Sequence, residues 1–232
     1  MSNRISIILS TYNEGYIIEE TIREIFKNIE NVQIILVDDN SNDGTFEKVK
    51  KINNPNIKLY SRNSRGLASA FLLGLINTEG NIIGWFDSNM PSLMKRVPDM
   101  LKELESNDLV ILSRFVEGGK DERTITRVWS SIMINFICRL ILGPQIRDYT
   151  SSIFLMRREK LINAVPICYG HGEFFIEFLY KLKKNGSKIC EIPYVHPPDH
   201  VGTSKTATSI IRFIKLGIDY MVRIIITRFR KN

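Results

Sequence analysis

The sequence predicts an α/β fold, a mostly parallel sheet with helices on both faces. Three observations predict it. Short apolar runs alternate with segments of helical spacing through the first half of the chain. Four of those runs end in dense polar, turn-forming clusters. The chain has 232 residues, which suits one domain with a short appendage and can bury a large core.

The elements follow in order. RISIILS is the first strand, with Asn13 and Glu14 beyond it. EGYIIEETIREIFKNI is a helix whose Ile17, Ile18, Ile22, Ile25, Phe26 and Ile29 share one side. VQIILV is the second strand, and DDNSNDGT after it combines turn and helix-capping residues. TFEKVKKI is a short helix and IKLYSR the third strand. SRGLASAFLLGLINT is a helix of small and apolar residues. NIIGWF is the fourth strand, with Asp87, Ser88 and Asn89 at its carboxyl end, and DLVILSRF is the fifth.

In sheets of this kind ligands bind outside the carboxyl ends of the strands. TYNE, DDNSNDG, DSN and SRFVEGG all fall there. An acidic residue such as Asp87, at the end of a buried strand, is costly unless something pairs with it. No G-x-G-x-x-G follows strand one, no G-x-x-x-x-G-K-[ST] is present, and no G-x-S-x-G occurs. A glycine-rich phosphate loop is therefore not expected.

The second half differs. RVWSSIMINFICRLILG is a long apolar helix whose Arg127, Ser131, Asn135 and Arg139 form one narrow stripe. The last helix carries a charged stripe of Arg212, Lys215, Asp219 and Arg223 among Ile, Phe, Leu, Met and Val. Charges interrupt both well short of the about 20 apolar residues of a transmembrane span. Both read as amphipathic helices that pack on the core or lie in a membrane interface. The expected division is a main domain over 1–206 and a basic amphipathic interface helix over 207–232.

The net charge is +7. Basic and apolar residues are mixed at the carboxyl end, which favours a membrane surface over nucleic acid; no nucleic-acid partner is expected. Cys138, Cys168 and Cys190 have no metal-ligand spacing and point to a reducing, cytoplasmic setting. The first apolar run, Ile5 to Leu9, is too short for a signal peptide. His171 and His196 lack metal spacing and read as structural or solvated.

SIILSTYNE, ILVDDNSNDGT, RNSRGLASAFLLGL, the Asp87 strand end, SRFVEGG and RDYTSSIFLMRREKL occur in the order and spacing of family 2 glycosyltransferases. Within that family the sequence resembles the polyprenol-phosphate sugar synthases, the group of dolichol-phosphate mannose synthases, from about residue 4 to 206. The resemblance implies the Rossmann-like GT-A fold and an inverting transfer of mannose or another hexose from a nucleotide diphosphate sugar. The acceptor would be a polyprenyl phosphate such as dolichyl or undecaprenyl phosphate, met at the cytosolic face of a membrane. It implies donor contacts at Thr11, Tyr12, Glu14, Val37, Asp39, Asp87, Ser88 and Asn89. Asp39 would accept from a ring N–H of the base, which guanine and uracil both offer. Asp38 and Asp39 can alternatively serve the turn before TFEKV.

The family carries an Asp-x-Asp motif at the fourth strand, holding Mg²⁺ or Mn²⁺ against the diphosphate. Here Asp87 and Asn89 stand in its place, and Pro91 where a glutamine is expected. Three readings of this site stay open: a weakly held cation, transfer without a tight metal, or a degenerate transferase that binds but barely turns over. The rival functions are a soluble family 2 transferase acting on a glycan hydroxyl and a non-catalytic sugar-nucleotide-binding subunit that activates a partner. Arg114 and Arg127 match positions that meet phosphate. Lys205 and Ser204 fall in a TSK loop resembling one of the family, with His200 where an arginine is common. Asp148 is a base if the acceptor is a glycan hydroxyl, and orients the sugar or arginines if it is a lipid phosphate; a turn hydrogen bond is its structural alternative. A separate membrane-protein partner stays open.

Overall fold

The computed structural model describes residues 4–162, 164–167, 169–198 and 210–230. Its first half runs β1 (Ile5–Thr11), α1 (Ile18–Asn28), β2 (Val32–Asp38), α2 (Thr45–Ile52), β3 (Ile57–Ser61), α3 (Leu67–Ile76) and β4 (Ile82–Asp87). A short 3-10 turn, Pro91–Arg96, leads into α4 (Val97–Glu103) and β5 (Leu109–Ser113). Then come β6 (Lys120–Asp121), α5 (Ile125–Leu142), β7 (Phe154–Arg157), α6 (Phe174–Lys184), β8 (Ile189–Pro193), β9 (Val195–His196) and α7 (Ile210–Phe229).

Seven strands form one sheet in the order β3-β2-β1-β4-β7-β5-β8. All neighbours pair parallel except β7, which runs antiparallel between β4 and β5. The α/β fold read from the sequence is the fold observed, with β7 as the one reversed strand. β6 and β9 form a separate two-stranded parallel ribbon. The register sets Ser10 beside Asp87 and Thr11 beside Asp38, so the ends of β1, β2 and β4 meet at one edge.

Helices cover both faces, and β1 shows why its apolar run is unbroken. Ile8 points into one core layer, with Phe71, Trp85, Phe154, Phe174 and Phe178. Its neighbours Ile7 and Leu9 point into the other, with Ile18, Ile22, Ile25 and Met100. Burial of each such isoleucine contributes roughly 1.5–3 kcal/mol. In the first layer Phe71 meets Trp85 edge-on, 5.2 Å between ring centroids at 88°.

Gly74 brings α3 against β1, where a Cβ would collide with the Ile8 side chain. Gly74→Ala is therefore expected to lower stability by about 1–3 kcal/mol, read as a lower urea midpoint. An unchanged midpoint would mean that α3 can shift off β1 freely.

The long helix α5 is inverted relative to a soluble amphipathic helix. Arg127, Ser131 and Asn135 of its polar stripe turn toward the protein, with Asn135 buried; Arg139 is exposed. Asn135 accepts from the Tyr149 backbone N–H at 2.6 Å and donates to Thr150 Oγ1 at 2.8 Å. The apolar side, with Ile125, Trp129, Met133, Phe136 and Leu140, faces outward. Charges were expected to bar this helix from spanning a membrane. By length and composition it qualifies, since only Arg127 and Arg139 interrupt it and its mean hydropathy is 1.4.

α7 packs on α5 and α6 and also turns apolar residues outward, among them Ile214, Ile218, Val222, Ile225 and Phe229. Its charged stripe splits. Lys215 and Asp219 are exposed, whereas Arg223 is buried against Glu177 at 2.8 Å and Tyr169 O at 2.6 Å. The Arg212 side chain lies outside what is described.

Candidate active site

A cleft of about 1240 Å³ opens at the carboxyl ends of the strands and extends between α5 and α7. At the β2 end, Asp39 lines it. The Asp39 carboxylate accepts from Arg62 Nε at 2.5 Å, Arg62 Nη2 at 3.0 Å and the Gly66 backbone N–H at 3.2 Å. This pins the β3–α3 loop over the strand end. Tyr12 and Arg65 line the cleft beside it, the guanidinium carbon 3.4 Å from the centre of the Tyr12 ring.

The other members of the two turns are braces. Thr11 is buried and donates to Asp38 Oδ2 at 2.8 Å, while Asp38 also accepts from the Ser41 N–H at 2.9 Å and hydroxyl at 2.6 Å. Asp43 takes the Gly15 and Thr45 N–H groups at 2.8 and 3.1 Å. Val37 is wholly enclosed in the core. Thr11 and Val37, both expected at the donor, do not border the cleft; Tyr12, Glu14, Asp39, Asp87, Ser88 and Asn89 do.

At the β4 end the Ser88 hydroxyl donates to Ser10 O at 2.9 Å, and Ser88 O accepts from Thr21 Oγ1 at 2.7 Å. These bonds hold the turn that presents Asp87 and Asn89. The Asp87 residue keeps some exposure to the cleft, but its carboxyl is enclosed. Burial and the nearby Glu14 charge push its pKa up to about 6, against the pull of Arg123, Arg114 and Arg127. The Tyr16 hydroxyl is pushed up by partial burial and by the nearby Glu14.

The opposite wall is cationic. Arg114, at the end of β5, is buried and gives Nε and Nη2 to Asp148 at 2.8 and 2.7 Å, with Nη2 also donating to Thr150 at 2.7 Å. Its Nη1 leans on Asp121 at 3.4 Å. Burial works against ionising Asp148, but the Arg114 charge and hydrogen bonds outweigh it and hold the carboxyl below its usual range. Asp148 does not border the cleft; Arg114 and Arg127 do. Lys205, Ser204, His200 and Cys168 lie outside the described residues.

His171 and His196 both border the cleft. Burial and the Arg123 and Arg114 charges push His196 down to about 4, opposed by its bond to Pro197 O at 2.9 Å and by Asp121. Cleft residues outside the sequence expectations include Arg65, Arg123 and Tyr169. Arg65 lies in RNSRGLASAFLLGL, which carries the family resemblance, and Arg123 in the charged run DERT.

A mostly parallel sheet, carboxylates at the ends of β2 and β4, and an arginine wall across one cleft define the GT-A-like class of glycosyltransferases. Residues 6–164 match the model of Glycosyl transferase family 2, more than half of the chain. The chain belongs to that family. Over 214 residues it is 28% identical to Dolichol-phosphate mannosyltransferase of Pyrococcus furiosus, covering 87% of this chain and 59% of that protein. Over 219 residues it is 25% identical to Undecaprenyl-phosphate mannosyltransferase of Micrococcus luteus, covering 90% and 89%. The chain thus spans about three-fifths of the first relative's length and most of the second's.

Among solved structures it resembles glucosyl-3-phosphoglycerate synthase of Mycobacterium tuberculosis in complex with Mn²⁺, UDP and phosphoglyceric acid. The TM-score is 0.71 at 19% identity, over 100% of this chain and 80% of that one. The same enzyme with Mg²⁺ and UDP gives 0.71 at 20% identity, over 100% and 81%. At such identities the likeness establishes the shared fold.

Proposed function

We propose that this chain moves a hexose, mannose being the first candidate, from a nucleotide diphosphate sugar to a polyprenyl phosphate at a membrane surface. One observation carries the reading. The cleft joins a carboxylate-lined end at Asp39 and Asp87 to a wall of Met133, Ile134, Ile218 and Ile225, on helices whose outward faces are apolar. An acceptor with a charged head and an insoluble tail fits that polarity. Relatives named for dolichol phosphate and undecaprenyl phosphate support it.

In this mechanism Asp39 accepts a base N–H, Tyr12 and Glu14 meet the nucleoside, and Ser88 and Asn89 border the diphosphate. A lipid phosphate oxygen is already an anion, so it needs positioning more than a general base. It attacks the anomeric carbon in line with the departing diphosphate. The new C–O bond forms as the old one breaks, the nucleoside diphosphate leaves, and configuration inverts. Arg127 and the Arg114 charge draw the lipid phosphate in. Asp148 orients Arg114, and Lys205 and Ser204 contribute acceptor contacts.

Asp87 and Asn89 suit a hard divalent cation shared with the diphosphate. The fit rests on Asp87 itself: a carboxylate that burial and Glu14 make costly is one that a cation relieves. Among the described residues no group of three or more His, Cys, Asp and Glu could hold a metal ion, and the donor diphosphate would supply further ligands. Mg²⁺ or Mn²⁺ would neutralise charge on the leaving diphosphate.

The test is product formation by the purified chain in detergent, with undecaprenyl or dolichyl phosphate, a panel of GDP- and UDP-sugars, and Mg²⁺, Mn²⁺ or EDTA. A labelled lipid product that EDTA suppresses is expected. Product that survives EDTA would keep the reaction and remove the metal. Donor binding without lipid product would sink the lipid acceptor and leave a hydroxyl acceptor or a non-catalytic role.

A further inference from the structure

The guanidinium of Arg114, expected to meet phosphate, has little left to give. Nε and Nη2 are committed to Asp148 and Thr150, and Nη1 leans on Asp121. Arg123 stands next to it in a different state. Its Nε donates to Asp121 Oδ1 at 2.7 Å, and Nη2 to Asp121 Oδ2 and to Ser131 Oγ, the latter at 2.8 Å. Among the described residues nothing accepts from its Nη1.

This side chain is built in. It is 10% exposed, and the Asp121 carboxylate behind it is 2% exposed. Asp121 belongs to the β6–β9 ribbon, paired with His196 and tied by Lys120 N to Tyr194 O at 3.1 Å and Glu122 N to His196 O at 3.0 Å. Ser131 fixes the second edge from α5. The guanidinium therefore borders the cleft in one orientation, with two of its three nitrogens held. Of the arginines that pull on the Asp87 carboxylate, Arg123 acts most strongly. A surface arginine would not be locked this way, because ordering a long side chain costs rotamer freedom.

We infer that Arg123 binds a phosphate group in this cleft through its Nη1 edge, with Asp121 and Ser131 as the positioning residues that aim it. The phosphate has two sources, the donor diphosphate and the acceptor's phosphate. The inference rests on the transfer reaction proposed above.

The experiment measures two quantities in wild type, Arg123→Gln and Arg123→Lys. One is the calorimetric Kd for GDP and UDP, and the other is the KM for undecaprenyl phosphate in detergent. Glutamine keeps an amide for Asp121 and Ser131 but loses the charge. A rise of about 10–100-fold in one constant is expected, the range of a charge-assisted hydrogen bond. A change in Kd alone places Arg123 on the donor, and a change in KM alone places it on the acceptor. Lysine is expected to recover part of the loss.

Both constants within twofold of wild type in a folded Arg123→Gln protein would overturn the assignment while leaving the reaction intact. If Arg123→Gln does not fold, Arg123→Lys decides: it keeps the charge and lacks the planar edge, and unchanged constants in it would overturn the assignment. Wild-type protein that takes neither nucleoside diphosphate nor lipid phosphate would overturn the reaction and this inference with it.

Discussion

Asp87→Asn is expected to abolish sugar transfer and, in EDTA, to make the protein more stable. The two effects have one cause. Burial and the Glu14 charge raise the Asp87 carboxyl to about 6 in the fold, against 3.8 as its ordinary value. Above pH 6 the folded chain thus encloses a charge that the unfolded chain leaves in water. A raised carboxyl costs nothing below about 3.8, and its cost grows to its full size as the pH rises through about 6. Asparagine removes that charge at nearly the same volume. The metal-free variant should gain roughly 1–3 kcal/mol at pH 7.5, with the gain fading by pH 4. Transfer should fall by about 10²–10³-fold or more, the loss that follows removal of one contact to developing charge. Urea midpoints in EDTA at the two pH values, with a turnover assay, test both. An inactive variant that is also less stable would make Asp87 a strut and not a site. The complementary change, Asn89→Asp, restores a second carboxylate. It should tighten Mn²⁺ binding in the presence of nucleoside diphosphate by about tenfold, since ligand charge sets affinity at such sites.

How much of this was legible in the sequence follows from the range over which each feature is determined. The Asp87 strand end could be read directly, because an apolar run that stops at an acid and a turn is a local pattern. The parallel sheet could be read because β1 to β5 each carry their own apolar run. β7 is absent from that reading: IFLM is a short apolar run, and its place between β4 and β5 is set by pairing across the sheet. The period of α5 gave the stripe of Arg127, Ser131 and Asn135. It did not say that the stripe faces in, since that depends on Tyr149, Thr150 and Arg123 waiting there to pair with it. Arg62 takes the Asp39 carboxylate from 23 positions away, so the sequence showed the acid without its partner. Arg123 was hidden for the same reason. Its burial exists only because β6 and β9 pair across the chain and fold a charged run into the cleft wall. Thr11 and Val37 show the converse. They sit inside diagnostic stretches, but strand alternation turns them to Asp38 and the core instead of the ligand.

Asp148→Ala is expected to cost about 3–5 kcal/mol of stability, the range for breaking a buried ion pair from one side. Its carboxylate is wholly buried and serves four N–H groups: Arg114 Nε at 2.8 Å, Arg114 Nη2 at 2.7 Å, Arg114 N at 3.0 Å and Thr150 N at 3.2 Å. Removing it strands a guanidinium that is itself enclosed, and among the described residues Asp121 at 3.4 Å is the one carboxylate left in ion-pair distance of it. The loss should far exceed that of a surface pair such as Arg96–Asp99, expected below about 1 kcal/mol. Replacing both partners, Arg114→Met with Asp148→Leu, should recover much of the stability, because the stranded charge goes with its partner. Activity should not return in full, since the Arg114 charge is gone from the cationic wall. The wild-type pair also sets an acid limit. The Asp148 carboxyl is held below its usual range, so its contribution is complete above about 3.8 and is lost as the pH falls through the lower folded value. Asp148→Ala should therefore flatten the acid limb of the stability curve as well as lower it. A double-mutant cycle in urea, run at pH 7 and again well below pH 3.8, where the contribution is being lost, separates these outcomes. A single-mutant loss below about 1 kcal/mol would mean that water or rearrangement satisfies Arg114, and that the strand-end arginine does not depend on Asp148 for its place.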